Sequence, residues 1–389
     1  MTGPAPHGAR GAPSLFVPCF AAAAQTLILI NHAPLLPLIM RDLGITPTQA
    51  GLLSTAMFVG AGLLALPAGH LTDWLGARWM TVVSIVILGL STLALAAAPT
   101  YLAMLAIRLA SGVGVSTSFI TVSHYVNALW SGPRRALAQG LLGGSMQLGI
   151  GLGIFLLPWV ATHSSWRMAF AVCALPPAVA LVIWLAAARA TPPEGPRTPM
   201  REVIGDPAMW RLGLVNASTF SLIVLLGTWI AVYFVEEFDL PLTMAGMLGS
   251  QASILGMAGR PLGGMIIARG VMGARSLIRW TLTGSVVGVL LLAIPGRPVA
   301  VAVAAVLLVG VTAALSYPGM LVLAAQVRPA ALGTLLGAMS VVGTLAVIVG
   351  APLMGALFSA SGSFTLPFVV LAALPAGALW ATARLPRGN

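Results

Sequence analysis

The chain contains no lysine. Its 19 basic residues are all arginine, its acidic residues number 8, and charged side chains make up only 7% of its 389 positions. A soluble domain carries roughly 25% charged residues, so this chain cannot assemble a water-facing surface, and lipid must cover much of it. Cysteine is nearly absent too. Cys19 and Cys173 lie in apolar runs, which excludes a disulfide framework or a thiolate metal site and leaves two small buried hydrophobes. No glycine-rich stretch ends in Gly-Lys-Ser/Thr, so no phosphate-binding loop and no ATPase unit is implied. Neither a His/Asp/Glu metal cluster nor a nucleophile–base arrangement is present, so no cofactor and no enzyme activity is expected. The formal charge of +11 invites nucleic acid as a partner, but the arginines are scattered singly or in pairs between apolar runs and form no basic stripe. The expected partners are the lipid bilayer and a small solute, with a coupling or counter-transported ion, and no nucleic acid.

What is abundant is apolar: 59% of the residues. A helix needs about 20 apolar residues to cross the hydrocarbon core. Runs at about 15–39, 50–70, 79–98, 102–126, 137–161, 167–187, 210–235, 243–267, 277–295, 299–324, 331–357 and 364–383 qualify. The first has a signal-like Ala21 to Ala24, but it continues to Met40, longer than a signal's apolar region, and reads as a span. Placing the N-terminus in the cytoplasm puts Arg10, Arg78, Arg134, Arg135, Arg189, Arg197, Arg201, Arg211, Arg269, Arg275, Arg279, Arg328, Arg384 and Arg387 on that side. Only Arg41, Arg167 and Arg297 fall outside. The excess of cytoplasmic arginine predicts that both termini are cytoplasmic in a bacterial inner membrane. The longest polar stretch, Arg189 to Pro207, is rich in proline and charge, as a linker is. The expected organisation is a tail (1–14), a six-helix bundle (15–188), a linker (189–209), a second six-helix bundle (210–384) and a short tail (385–389), working as a monomer.

The halves repeat locally. Gly69-His70-Leu71-Thr72-Asp73-Trp74-Leu75-Gly76-Ala77-Arg78 follows the second span, and Gly264 to Arg269 with Gly273-Ala274-Arg275 follows the eighth. Leu141-Leu142-Gly143, Gly149 and Pro158 in the fifth span share one spacing with Leu335-Leu336-Gly337, Gly343 and Pro352 in the eleventh. Duplicated halves around a midplane site are a common architecture of secondary transporters. Gly69, Asp73, Gly76 and Arg78 resemble the signature loop of the major facilitator superfamily, G-x-x-x-D-R-x-G-R-R/K, with Trp74 and Ala77 departing from it. Arg108 to Gly114 resembles that family's helix-4 pattern, R-x-x-x-G-x-G. The resemblance implies an all-α integral membrane fold of twelve transmembrane helices in two pseudo-symmetric six-helix bundles. It implies transport by alternating access, a cavity lined by helices 1, 4, 7 and 10, and a gating role for Gly69, Asp73, Gly76 and Arg78. Gly259-Arg260-Pro261-Leu262-Gly263-Gly264 and the glycine-rich eleventh span resemble the nitrate/nitrite and cyanate porter branches. The second span carries no charge, so the helix-2 arginine of nitrate porters has no counterpart.

Ionisable residues within spans are costly and usually functional. The acids, Asp42, Asp73, Glu194, Glu202, Asp206, Glu236, Glu237 and Asp239, all fall outside span centres, which leaves no buried carboxylate to carry a proton unless Glu236 or Glu237 folds inward. The arginines Arg108 and Arg260 fall inside spans. Each is read as a ligand for a planar anion, or else as a structural residue of the helix-4 motif (Arg108) and a snorkelling helix-end residue (Arg260). Asn31 and His32, just before Pro34 and Pro37, are candidates for solute or proton binding. Gln147, Asn216, Gln251 and Tyr317 complete the candidate substrate contacts, with Gln25, Ser111, Thr117 and Thr219 as further lining residues. The leading expectation is a transporter of a small anionic solute. An exporter of lipophilic or cationic compounds, lined by Met and Trp, and a non-transporting sensor on the same fold are the rivals.

Overall fold

Each apolar run becomes a helix because lipid offers no partner to a backbone N–H or C=O, so the chain must satisfy them internally. The computed structural model describes residues 14–130, 132–189, 204–327 and 332–385, with the side chains of 64–74, 119, 120, 127, 132–137 and 332–334 outside that description. The N-terminal tail through residue 13, most of the expected linker and residues 386–389 lie outside the described residues. Among the described residues there are twelve helical segments. In the first half they are α1 (Phe16–Leu43), α2 and α3 (47–75 and 77–96), α4 (Tyr101–Leu129), α5 (Gly132–His163) and α6 (Trp166–Ala187). In the second they are α7 (Pro207–Phe238), α8 (Leu242–Ala268), α9 (Ala274–Ala293), α10 (Val299–Val327), α11 (Leu332–Ser361) and α12 (Thr365–Thr382). Ten of the described segments are long and apolar enough to cross a membrane by length and composition. The helices overrun most of the expected spans by one or two residues or a turn, since caps extend them beyond the apolar core.

Those caps are local and readable. Thr46 and Gln49 close a reciprocal capping box ahead of α2, with Pro47 at the first helical position. Thr100, Ser165 and Asp206 accept from the N–H groups of Ala103, Met168 and Ala208 at the starts of α4, α6 and α7. Pro34 and Pro37 break α1: an α-helical arm, Phe16–Leu29, passes through a short 3-10 turn at Ala33–Leu35 into Leu36–Leu43. In α7 a π-helical turn occupies Ala217–Ser221. Between α2 and α3 the chain turns at Gly76, with φ 78° and ψ 157°, a region essentially open to glycine alone.

The two halves make equivalent contacts. Thr26 of α1 donates to the Met146 carbonyl of α5 (2.9 Å), and Ser221 of α7 donates to the Gly343 carbonyl of α11 (2.7 Å). Gly149 lies against Ala23 and Thr26, and Gly343 against Asn216 and Ser221, so both repeat-marked glycines sit where a Cβ would strike the neighbouring helix. Small residues allow this closeness in lipid, where packing rather than water exclusion drives helix association.

The start of α1 packs with the end of α6, and the start of α7 with the end of α12, at one face of the bundle, the termini face. At the opposite face the halves are welded. Thr55 of α2 donates to the Ile348 carbonyl of α11 (2.8 Å). A Cβ on Gly51 would lie 2.7 Å from Pro352 Cα, and one on Gly246 of α8 would lie 2.6 Å from Pro158 of α5. A single apolar core there joins Leu27 to Ile39 and Leu53 to Phe58 with Leu222 to Phe234, Phe364 and Phe368. Toward the termini face the described core residues divide by half. Val17, Ala21, Ala77, Tyr125 and Trp184 cluster within the first, and Met209, Leu212, Ile278, Met320 and Leu323 within the second.

Candidate functional site

The two membrane arginines, alike in sequence, sit in different surroundings. Arg108 of α4 is fully buried. It donates from Nε to the Leu53 carbonyl (3.2 Å), from Nη1 to Asn31 Oδ1 (3.3 Å) and from Nη2 to the Leu29 carbonyl (3.0 Å). One of those acceptors, the Leu29 carbonyl, is available because the proline break in α1 leaves it without a helical partner. Asn31 is held in turn: its Nδ2 donates to Cys173 Sγ of α6 (3.7 Å). Arg108 thus ties α1, α2 and α4 into one unit at the level of the break.

Arg260 of α8 has one hydrogen-bond acceptor among the described residues, the Gly143 carbonyl of α5, which takes Nη1 at 3.2 Å. Its guanidinium lies over the Tyr317 ring of α10 at 4.2 Å from the centroid, a cation–π contact of about 0.5–2 kcal/mol. Arg260 Nε is buried without a hydrogen-bond partner, and Arg260 makes no ion pair among the described residues. One turn away on the same faces of α5 and α8, Gln147 meets Gly256: a Cβ there would lie 3.0 Å from Gln147 Nε2. Arg260, Tyr317 and Gln147 therefore converge on the seam between the halves. Gly143 belongs with them, since a Cβ at that position would lie 2.7 Å from Arg260 Nη1. It stood in the sequence only as a repeat landmark, and nothing in a glycine signals that its carbonyl will receive an arginine.

The other candidates are dispersed. His32 Nε2 shares a hydrogen bond with Ser54 Oγ of α2 (2.9 Å), and Ser54 Oγ reaches Thr228 Oγ1 of α7 (3.4 Å). Asn216 donates to the Met339 carbonyl (3.1 Å) and braces α7 against α11. Gln251 donates to the Met247 carbonyl of its own helix (3.2 Å). Of the lining residues, Gln25 accepts from Ser84 Oγ (2.8 Å), while Ser111, Thr117 and Thr219 bond their own helix backbones.

In the signature loop, the side chain of Asp73 lies outside the described residues, as does the environment of Gly69. Gly76 makes the turn described above. Arg78 Nη2 donates to the Leu185 carbonyl in the last turn of α6 (3.3 Å), and Trp184 Nε1 donates back to the Arg78 carbonyl (3.0 Å). In the second half Arg275, the repeat's counterpart, donates to the Ala383 carbonyl just after α12 (2.7 Å). Each arginine fastens its loop to the end of the last helix of its half, where unpaired carbonyls and the negative end of the helix dipole favour a cation.

A twelve-segment bundle of two equivalent halves, with this loop at the same place in each, is matched by a family model. The model of the Major Facilitator Superfamily matches residues 18–350. The chain belongs to the Major Facilitator Superfamily. It is a multi-pass membrane protein of this transporter family. Among similar proteins, a high-affinity nitrate transporter of Oryza sativa subsp. japonica is 26% identical over 60% of this chain and 49% of its own length. A cyanate transport protein of Escherichia coli is 29% identical over 54% of this chain and 55% of its own length. This superfamily member thus spans only about half the length of those two relatives. A hexuronate transporter of Bacillus subtilis is 22% identical over 90% of this chain and 89% of its own. Among solved structures, a bacterial homologue of the human lysosomal transporter Spinster, in an inward-facing and occupied conformation, superposes with a TM-score of 0.68. It has 14% identity and covers 95% of this chain and 92% of that one. That likeness establishes the shared fold.

Proposed function

We propose that this protein carries a small anion across a bacterial inner membrane by alternating access, with both termini cytoplasmic and Arg260 as the anion's ligand. The observation that carries this reading is the contrast between the two arginines. Arg108 places three of its five N–H groups on protein oxygens, whereas Arg260 places one, stacks on Tyr317 and keeps a buried Nε unpartnered. A buried donor left unpaired costs about 1–3 kcal/mol, and a hydrogen bond to a charged group contributes about 1.5–3 kcal/mol. A planar anion at Arg260 recovers both terms, and its charge offsets that of a guanidinium without a carboxylate. Gln147 supplies a neutral donor beside it. The relatives that transport nitrate, cyanate and hexuronate all handle anions, which agrees with a cationic site. Arg108, Asn31 and His32 belong on this reading to the scaffold of the first half, and the two bundles, 15–188 and 210–384, are the bodies that rock. The chain works as a monomer without catalysis.

Uptake of nitrate, cyanate and a hexuronate into proteoliposomes tests it. Arg260→Gln is expected to raise KM for the transported anion by on the order of tenfold or more, the loss of one charge-assisted bond. Arg260→Lys is expected not to restore it, since an ammonium cannot offer the planar fork. Anion uptake with unchanged KM in Arg260→Gln would end the assignment.

A further inference from the structure

Among the described residues, the chain His32–Ser54–Thr228 is a side-chain hydrogen-bond path that crosses between the halves at the level of the α1 break. His32 and Ser54 belong to the first half and Thr228 to the second, and all three are completely buried. They lie 11, 7 and 10 residues, roughly 10–17 Å of helix, from the ends of α1, α2 and α7 at the face opposite the termini. His32 Nδ1 is buried and has no hydrogen-bond partner among the described residues.

The charges around His32 are of one sign. From α4 comes the Arg108 guanidinium, which grips the Leu29 carbonyl and the Asn31 side chain just ahead of it in the chain. From α6 comes the Cys173 thiol, through Asn31. From α2 and α7 come the hydroxyls of Ser54 and Thr228. The sequence places no ionisable side chain on α2 between Pro47 and Gly69, on α5 between Gln139 and Thr162, or on α7 between Leu212 and Val232. An imidazolium needs an acceptor at both ring nitrogens. In this closed arrangement it would have at most one, beside a second cation and away from water. A neutral ring needs only the Ser54 bond.

We propose that His32 is a proton-binding site of the gate at the face opposite the termini, charged when the halves part there and neutral when they close. Opening separates Ser54 from Thr228 and lets water reach the ring. The proton comes from that water to whichever ring nitrogen lacks one, and it returns to that water before the gate shuts. Acid therefore holds this gate open and neutral pH lets it close. If the face is the outer one, as the orientation above has it, an external proton biases the carrier toward accepting solute from outside. The site is independent of the anion assignment, since Arg260 lies on another helix, toward the termini face.

The test is a distance measurement by double electron–electron resonance on the full chain in lipid nanodiscs without added anion. Spin labels go on cysteines introduced at the exposed positions Arg41 and Ala360, with Cys19 and Cys173 replaced by alanine. Between pH 8.5 and 5.5 the long-distance population is expected to grow as the pH falls, by up to about tenfold per unit for one linked proton. His32→Gln, which keeps a partner for Ser54, is expected to abolish that slope. Thr228→Val is expected to raise the open population at pH 8 while retaining the slope. A wild-type population that does not change with pH overturns the proposal, as does a His32→Gln variant that keeps the slope. If His32→Gln does not fold, Thr228→Val decides: an unchanged open population at pH 8 overturns it. Loss of anion uptake in Arg260→Gln with this slope intact separates the two readings.

Discussion

A guanidinium in a membrane is either satisfied by the protein or available to a ligand, and the number of acceptors within reach decides which. Arg108 is satisfied by acceptors on two other helices. Arg108→Gln is therefore expected to act on stability, leaving carbonyls unpaired at about 1–3 kcal/mol each; a thermal midpoint in detergent lower by several degrees, with unchanged KM in the folded fraction, is the expected outcome. Around Arg260 the opposite split is expected. Tyr317→Leu removes the ring beneath the guanidinium and is expected to weaken anion binding roughly threefold to tenfold, while Tyr317→Phe, which keeps a ring, stays near wild type. In Gly143→Ala the new Cβ would crowd Nη1, displacing Arg260 from its carbonyl; a rise in anion KM of about tenfold is expected, read by uptake kinetics. That both arginines lie in spans was legible in the sequence, because charge and hydropathy are properties of short windows. Which of them is saturated was not, because the acceptors of Arg108 lie 55, 77 and 79 residues away, and that of Arg260 lies 117 residues away.

At the scale of the element, glycine sets the spacing. The turn at Gly76 demands a backbone that other residues enter at about 1–3 kcal/mol. Gly76→Ala is thus expected to lower the thermal midpoint and to loosen the bond from Arg78 to the end of α6; circular dichroism melts with and without the substitution check it. Gly149 holds α5 against α1 and Gly343 holds α11 against α7, but a Cβ on Gly149 would overlap the Ala23 carbonyl oxygen and one on Gly343 would lie 3.0 Å from the Asn216 side chain, so Gly149→Val is expected to destabilise more than Gly343→Val, and each more than Gly140→Val, where a Cβ meets nothing within 4 Å. The repeat of Leu-Leu-Gly, Gly and Pro was visible along the chain. Its meaning as a pair of matched helix crossings appears only when α1 and α7 are placed beside it. The prolines of α1 were equally plain. What they provide, the Leu29 carbonyl turned toward Arg108, depends on α4 standing opposite.

For the molecule as a whole, the proposed alternating-access cycle requires the welded face to open. Cysteines at Thr55 and Ile348, bridged by a short bifunctional thiol reagent in a background lacking Cys19 and Cys173, are expected to abolish uptake; reversal of the bridge is expected to restore it. Binding of the anion to the bridged protein in detergent is expected to persist, measured by thermal shift, since Arg260 lies on the other side of the weld. Uptake that continues through the bridge would exclude rocking about this face. The sequence alone determined that the chain lives in lipid, that it has twelve spans in two related halves, and that its membrane interior holds arginines without acids at span centres. Those facts are sums over local composition, and they survive any arrangement of the helices. The tertiary structure alone decided that one arginine is held by three protein oxygens while the other has one at the seam, and that a histidine, a serine and a threonine from three helices meet in one hydrogen-bonded path. Hydrogen-bond saturation and burial are set by which helices become neighbours, and residues hundreds of positions apart come within reach of one another only when the two halves pack.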